Sequence, residues 1–475
     1  MKRRDFIKIT AGGVAALALG SGLAPVFRRS EAYGAVGDAT NFFLDIMEVE
    51  HEMVDGKLVY SWAYAVKESG VQVPSLPGPT LFVRQGSPVN VTLTNTMSDR
   101  PTGEAHGFAI FGKNGPIVQS APLAAGQSTQ FTIPGNLAPG TYMYEDWVNP
   151  PVGRVLGLHG VLVVMPAAPA GSPYELYPDT APPVPGWTPY GILPNGHPVR
   201  ELFNDLGQTA HFPGEPWLPS RQVIWVFSEV DPFFNELAST ELIDAGDFQR
   251  NFLPQYFTVN GRSGYFSAED HTHDTTHVHV DFNQPLSYIL SGEMESALVG
   301  KVGQPILIRN VHVGLDTHSP HTHANHCYCV AVDGEVQDLN IDSNGFPVNG
   351  NPRNLGLWWW DTWTMLPGDR KDVLYPMMMP PDIPLETIER IRAGAWHPQL
   401  NPNGTQEYMV FDPNDTDGSS IEPLNVGHPP AAPTEFTHLA YPMHSHQEIS
   451  QTAAGGNYPM GLIIHIMFTG LAPGV

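Results

Sequence analysis

The sequence predicts an all-β protein built as tandem Greek-key β-sandwiches with long loop insertions. Three observations predict it. Glycine and proline supply 47 residues each of the 475, a density that favours turns and short strands over helices. Between those turns, short segments alternate apolar and polar residues, as half-buried strands require. The order of segments in the first half then returns in the second, with larger insertions.

The elements follow in order. Lys2-Arg3-Arg4-Asp5-Phe6-Ile7-Lys8 precedes a small, apolar run from Ile9 to about Leu23. Paired arginines before a Phe and a short apolar stretch read as a twin-arginine signal over residues 1–34, cleaved near Gly34. Such a leader implies export of the folded chain to the periplasm or the exterior. No other segment has the length of a membrane span.

Residues 36–168 read as the first all-β unit. Leu81-Phe-Val-Arg84 runs into a Gly-Ser-Pro turn, and Val89–Asn95 alternates cleanly. Gln127–Ile133 is a further strand, Ala138-Pro-Gly-Thr141 a turn, and Gly160–Met165 a buried closing strand. Residues 169–220 are rich in Pro, Gly and Tyr and read as a linker or wrapping arm. Residues 221–475 form the second unit. There Gln304–Val311 matches the strand at 88–95, Met365–Leu374 that at 124–133, and Met460–Ile466 that at 158–164. On this reading His321-Thr-His323 takes the place of Glu104-Ala-His106.

Formal net charge is −25. Such a surface repels nucleic acid and anionic lipid and attracts cations; it is compatible with the expected small-molecule or metal-ion substrate, and more simply it keeps an exported protein soluble. The only cysteines are Cys327 and Cys329. Two residues apart on a strand, they share a face, and a disulfide at that spacing is strained. They are expected to pack in the core, and the fold is not disulfide-stapled.

The chemistry concentrates in His321-Thr-His323 and His444-Ser-His446. In extended chain, residues i and i+2 point to one face, so each tripeptide aims two imidazoles at one point. Neutral imidazole is the commonest protein ligand for copper, zinc and iron. His271-Thr-His273 with His277-Val-His279 reads as a solvated loop, and Met377–Met379 as packing.

His318-Ser-Pro-His321-Thr-His323 resembles the H-P-x-H-x-H run of multicopper oxidases, and Tyr441-Pro-Met-His444-Ser445-His446 resembles their H-C-H run. Pro77–Gly86 is similar to the family's opening strand, and Gly140–Tyr144 to the strand before its second histidine pair. The resemblance covers roughly residues 75–165 and 303–468. It implies cupredoxin domains, bound copper and oxidoreductase chemistry. It also implies that His106, His321, His323, His444 and His446 converge, with His318 at a type 1 copper position.

The departures reshape that expectation. Where the family has H-x-H-G this chain has Glu104-Ala-His106-Gly107, and where it has a second H-x-H the chain has Glu145-Asp-Trp147. The cysteine is Ser445 and the last histidine is Ser450. A type 1 centre needs a thiolate and two imidazoles, and His318 alone remains. No blue copper is expected. One or two ions are, with copper foremost, although a mixed imidazole and carboxylate shell also suits iron, zinc or manganese. Glu104 and Glu145 become candidate catalytic groups, as ligands or as proton donors to reduced oxygen. Two-domain members of the family form trimers around the metal, so a homotrimer is expected. The competing reading is a non-catalytic envelope protein, structural or copper-sequestering.

Overall fold

A computed structural model describes residues 40–68, 71–98, 104–112, 115–138, 140–165, 222–268, 298–302, 306–336, 358–377, 439–455 and 458–471. The leader at 1–34, the arm at 169–220, the histidines at 271–279 and Met378–Met379 lie outside them.

The N-terminal unit carries β1 (Asn41–Glu52), β2 (Leu58–Glu68), β3 (Val71–Ser75), β4 (Gly78–Arg84), β5 (Val89–Asn95), β6 (Ala109–Gly112), β7 (Gly115–Gln119), β8 (Ser128–Ile133), β9 (Gly140–Glu145) and β10 (His159–Met165). They form two sheets, ordered β3-β2-β1-β5-β8 and β4-β10-β9-β6-β7. The alternation read in the sequence is the mechanism. In β5, Val89, Val91 and Leu93 are fully buried between residues that face outward, so one face of the strand seals the sandwich. A short helix, α1 (Val152–Val155), precedes β10.

The C-terminal unit repeats this plan with β11 (Gln222–Val230), β12 (Tyr256–Val259), β13 (Leu298–Val302), β14 (Ile306–His312), β15 (Pro320–Thr322), β16 (Cys327–Val332), β17 (Glu335–Val336), β18 (Trp358–Trp360), β19 (Arg370–Tyr375), β20 (Leu439–Ser445) and β21 (Ile463–Leu471). One sheet runs β12-β11-β14-β19-β16-β17 with β18 on β16, and the other β13-β21-β20-β15. Between them pack Trp225, Phe227, Ile308, Met443, Ile464, Ile466 and Phe468. Cys327 and Cys329 are free and buried, and burial pushes both thiols up to about 12. They serve as core residues, as expected. No helix among the described residues is long and apolar enough to cross a membrane.

The two units are locked together. Arg309 donates to the Thr141 hydroxyl at 2.8 Å, which donates to Asp372 at 2.7 Å, all three side chains being buried. His51 Nε2 donates to the Gly261 carbonyl at 2.6 Å. Arg154, from α1, donates to the Val313 carbonyl at 2.9 Å and to Glu145 at 3.1 Å. A cleft of about 790 Å³ lies between the units, lined by Glu145 and Arg154 on one side and by Trp360, Thr362 and Arg370 on the other.

Candidate metal centre

β15 and β20 are neighbours, with His321 directly opposite His444. His323 and His446 follow just past the ends of these strands. The side-chain period of two therefore brings all four imidazoles together. Ring centroids are 4.6 Å apart for His321–His323, 4.6 Å for His321–His446, 5.2 Å for His323–His444 and 5.1 Å for His444–His446. Nitrogens of His321, His444 and His446 lie within 4.8 Å of one another. His323 Nε2 is 3.1 Å from His444 Nε2.

Hydrogen bonds fix which nitrogen of His444 is bare. The Tyr458 hydroxyl donates its single proton to the Ser445 carbonyl at 2.7 Å. It must then accept at 2.6 Å from His444 Nδ1–H, which leaves His444 Nε2 a lone pair facing its neighbours. His321 Nδ1 is held 2.6 Å from the Thr362 hydroxyl. Burial lowers the proton affinity of His321, His323 and His444, and the charges of neighbouring imidazoles lower it further; for His444 the value falls to about 4. These three rings are thus neutral near pH 7, the state that ligates metal.

The residues fit a metal ion. Bonds of 2.0–2.1 Å from two imidazoles to one ion put the nitrogens roughly 2.8–3.4 Å apart, and His323 and His444 stand 3.1 Å apart. Four imidazoles without a thiolate suit copper or zinc. His446 is exposed and the other three are half-buried, so the site opens to solvent.

The other expected residues stand elsewhere. His318 is fully buried and turns to Glu229 and His312, its Nε2 2.6 Å from Glu229 Oε1. His106 is buried against Trp62, with Nδ1–H donating to Asp146 at 2.8 Å. Glu104 lies near Tyr60, whose proton its charge helps to retain. Glu145 is buried on the cleft wall, and desolvation raises its pKa against the pull of Arg154. Among the described residues, neither His106, Glu104, Glu145 nor His318 belongs to the group of converging nitrogens around His444.

Strand pairing gives the reason, and it corrects the internal alignment drawn from sequence. His106 bridges Leu123, and His318 bridges Met365 in the same antiparallel manner. Each bridge precedes a positive-φ glycine turn, Gly126 or Gly368, and then the strand that pairs antiparallel with β5 or β14, namely β8 or β19. His106 therefore occupies the place of His318, not that of His323. Three residues on, Ala109 pairs with Glu145 as His321 pairs with His444. Asp146 N–H donates to Leu158 as Ser445 N–H donates to Leu462. Glu145, Asp146 and Trp147 thus stand where the C-terminal unit has His444, Ser445 and His446, while Ala109 and Phe111 stand where it has His321 and His323. The N-terminal unit offers no imidazole at these positions.

Ser445 is wholly buried, and its hydroxyl accepts from the backbone N–H groups of Ser319 and Gln447, both at 3.3 Å. The Ser450 hydroxyl accepts from Leu462 N–H at 3.0 Å. Both serines close local backbone. Sequence reasoning missed Tyr458 and Thr362, which orient the imidazoles, and Glu229 with His312. The signal for Glu229 was a carboxylate inside the apolar strand Val-Ile-Trp-Val-Phe-Ser-Glu-Val. Nothing in the sequence marked Tyr458.

Residues 67–169 match the multicopper oxidase family model. Blue copper oxidase from Nitrosomonas europaea is similar in structure, at 14% identity over 90% of this chain and 85% of that one, with a TM-score of 0.49. The multicopper oxidase mgLAC is similar at 17% identity over 90% and 86%, with a TM-score of 0.47. Copper nitrite reductase from Nitrosomonas europaea is similar at 16% identity over 92% and 96%, with a TM-score of 0.45. No curated protein matches the chain in sequence. Residues 67–169, most of the N-terminal of the chain's two β-sandwiches, are thus similar to a multicopper oxidase domain.

Proposed function

We propose that the protein is an exported, copper-dependent oxidoreductase whose working site is the four-imidazole cluster and which lacks type 1 copper. The observation that carries this reading is the bare His444 Nε2, 3.1 Å from His323 Nε2 and surrounded by His321 and His446. Copper held there supplies one-electron redox chemistry toward a small molecule, with dioxygen the natural candidate. The chain's own residues do the rest. Tyr458 and Thr362 fix the two facing imidazoles by their Nδ1 atoms, as groups around a metal's ligands commonly do. The exposure of His446 lets a small molecule reach the centre.

Glu145 shares its cleft with Thr362, the residue that positions His321. Burial raises the Glu145 carboxyl against the pull of Arg154, which makes it the candidate proton carrier of this reading. Ser445 in place of a thiolate leaves no soft ligand and no internal electron route, so the reductant must reach the imidazole centre itself. Export rests on Arg3-Arg4 and the apolar run behind them. A homotrimer rests on the family resemblance.

The test is oxygen consumption by copper-loaded protein with a small phenolic or metal-ion reductant. Metal-dependent turnover, abolished in a His321→Ala, His444→Ala variant, is the expected result. Full activity in that variant overturns the reading. The openness of the site favours one competitor, reversible copper storage, which predicts uptake and release without turnover.

A further inference from the structure

We propose that Glu229, His312 and His318 form a second metal site, closed and structural, that holds one divalent first-row transition ion in the core of the C-terminal unit. Three separate parts of the chain build it. Glu229 lies on β11 and His312 ends the adjacent parallel strand β14, where Phe227 is paired with His312. His318 returns after the turn at 313–317 and is pinned by its bridge to Met365. All three side chains are fully inaccessible. Glu229 Oε1 is 2.6 Å from His318 Nε2 and 3.1 Å from His312 Nε2. The three ligating atoms lie within 4.8 Å of one another.

The charge of this cluster is what calls for a cation. A carboxylate taken out of water is costly unless paired. Among the described residues, the ion-pair partners of Glu229 are the two imidazoles, with one further hydrogen bond from Leu315 N–H to Oε2 at 2.7 Å. Imidazole N–H groups donating to Oε1 leave its negative charge standing, whereas a cation held by the same three side chains would balance it. Two imidazoles and a carboxylate are a common set for divalent zinc, iron or manganese.

The surroundings are shaped for this cluster. Phe227 and Phe257 rings flank His318 at 5.9 Å and 6.1 Å, which excludes water. A Cβ on Gly314 would collide with the Glu229 carboxylate, so any other residue there would have to displace it. Arg154 clasps the same turn from outside through the Val313 carbonyl. The site has no open face, which marks a structural rather than a catalytic role.

The experiment uses the full-length His321→Ala, His444→Ala variant, in which the open cluster is disabled. It is purified, loaded with zinc or cobalt(II), and dialysed against a weak chelator. One ion per chain is expected to remain. With cobalt it should show the visible bands of a low-symmetry nitrogen and oxygen shell, and strong chelation should lower the melting temperature. Adding Glu229→Gln should remove the retained ion. If Glu229→Gln does not fold, the cobalt spectrum and the chelator-dependent melting of the parent variant still decide. A parent variant that retains no ion and melts identically with and without chelator overturns the proposal, as does retention of the ion in a folded Glu229→Gln protein. Either overturning result leaves the four-imidazole reading intact, because that cluster is absent from the protein tested.

Discussion

His444 Nδ1 and the Tyr458 hydroxyl lie 2.6 Å apart, and the hydroxyl donates its own hydrogen bond to the carbonyl of Ser445. The strand that presents His444 and the turn that carries Tyr458 thus fix one imidazole's tautomer. The expected consequence of Tyr458→Phe is weaker copper binding by roughly 10–100-fold, the usual scale for a lost partner of a metal ligand. Isothermal titration with a competing chelator measures it. The same affinity in the variant would show that the hydrogen bond does not orient the ring.

Ser445→Cys supplies a thiolate beside the imidazoles, yet no intense blue band is expected. A type 1 centre needs two imidazoles beside the thiolate. His318 Nε2 is held by Glu229, and Ser450 stands where the second would be. Absorption of the copper-loaded variant checks this, and an intense blue band would contradict it.

Asp146 anchors the N-terminal unit's version of the same corner. Its two oxygens accept from His106 Nδ1 at 2.8 Å, Gly107 N–H at 2.8 Å and Val148 N–H at 3.1 Å. Asp146→Ala leaves two buried donors and one half-buried donor without an acceptor, at a cost of about 1–3 kcal/mol for each buried unsatisfied group. Urea denaturation is expected to show a loss of roughly 3 kcal/mol or more, with the copper content unchanged.

Acid should loosen the contact between the two units. His51 and His159 are buried as neutral rings, and desolvation lowers each to about 4 from an unfolded value of 6.5. The native state then binds fewer protons than the unfolded chain between those pH values. Stability is therefore complete above pH 6.5 and falls as pH drops toward 4, by up to roughly 3 kcal/mol per histidine. His51→Gln keeps a donor toward Gly261 and removes one titration, so its stability profile across this window should be shallower. An unchanged slope would remove His51 from the account.

The first sandwich was legible because strands such as β5 and β8 alternate, and period-two burial leaves that imprint in the residues, whereas β14 is buried throughout and was legible only by its place in the repeated order. The four imidazoles were legible for the same reason, since each pair sits at i and i+2 at a strand end. His106 was not. Its tripeptide context looks like a metal motif, and only the bridge to Leu123 reveals that it matches His318. The register between two units is a long-range property, and a shift of five residues moves the counterpart of His321 from Glu104 onto Ala109. Glu229 and His312 come from neighbouring strands more than eighty residues apart in sequence, a proximity created by parallel pairing alone.

The central claim is that His321, His323, His444 and His446 hold copper without a blue centre. Copper per chain, counted by elemental mass spectrometry beside absorption and electron-spin spectra, tests it most directly in the native protein and in the His321→Ala, His444→Ala variant. The account predicts copper with no intense blue band in the native protein, and the loss of that copper in the variant. Native protein that stays copper-free after loading, or a variant that keeps all its copper, would contradict it.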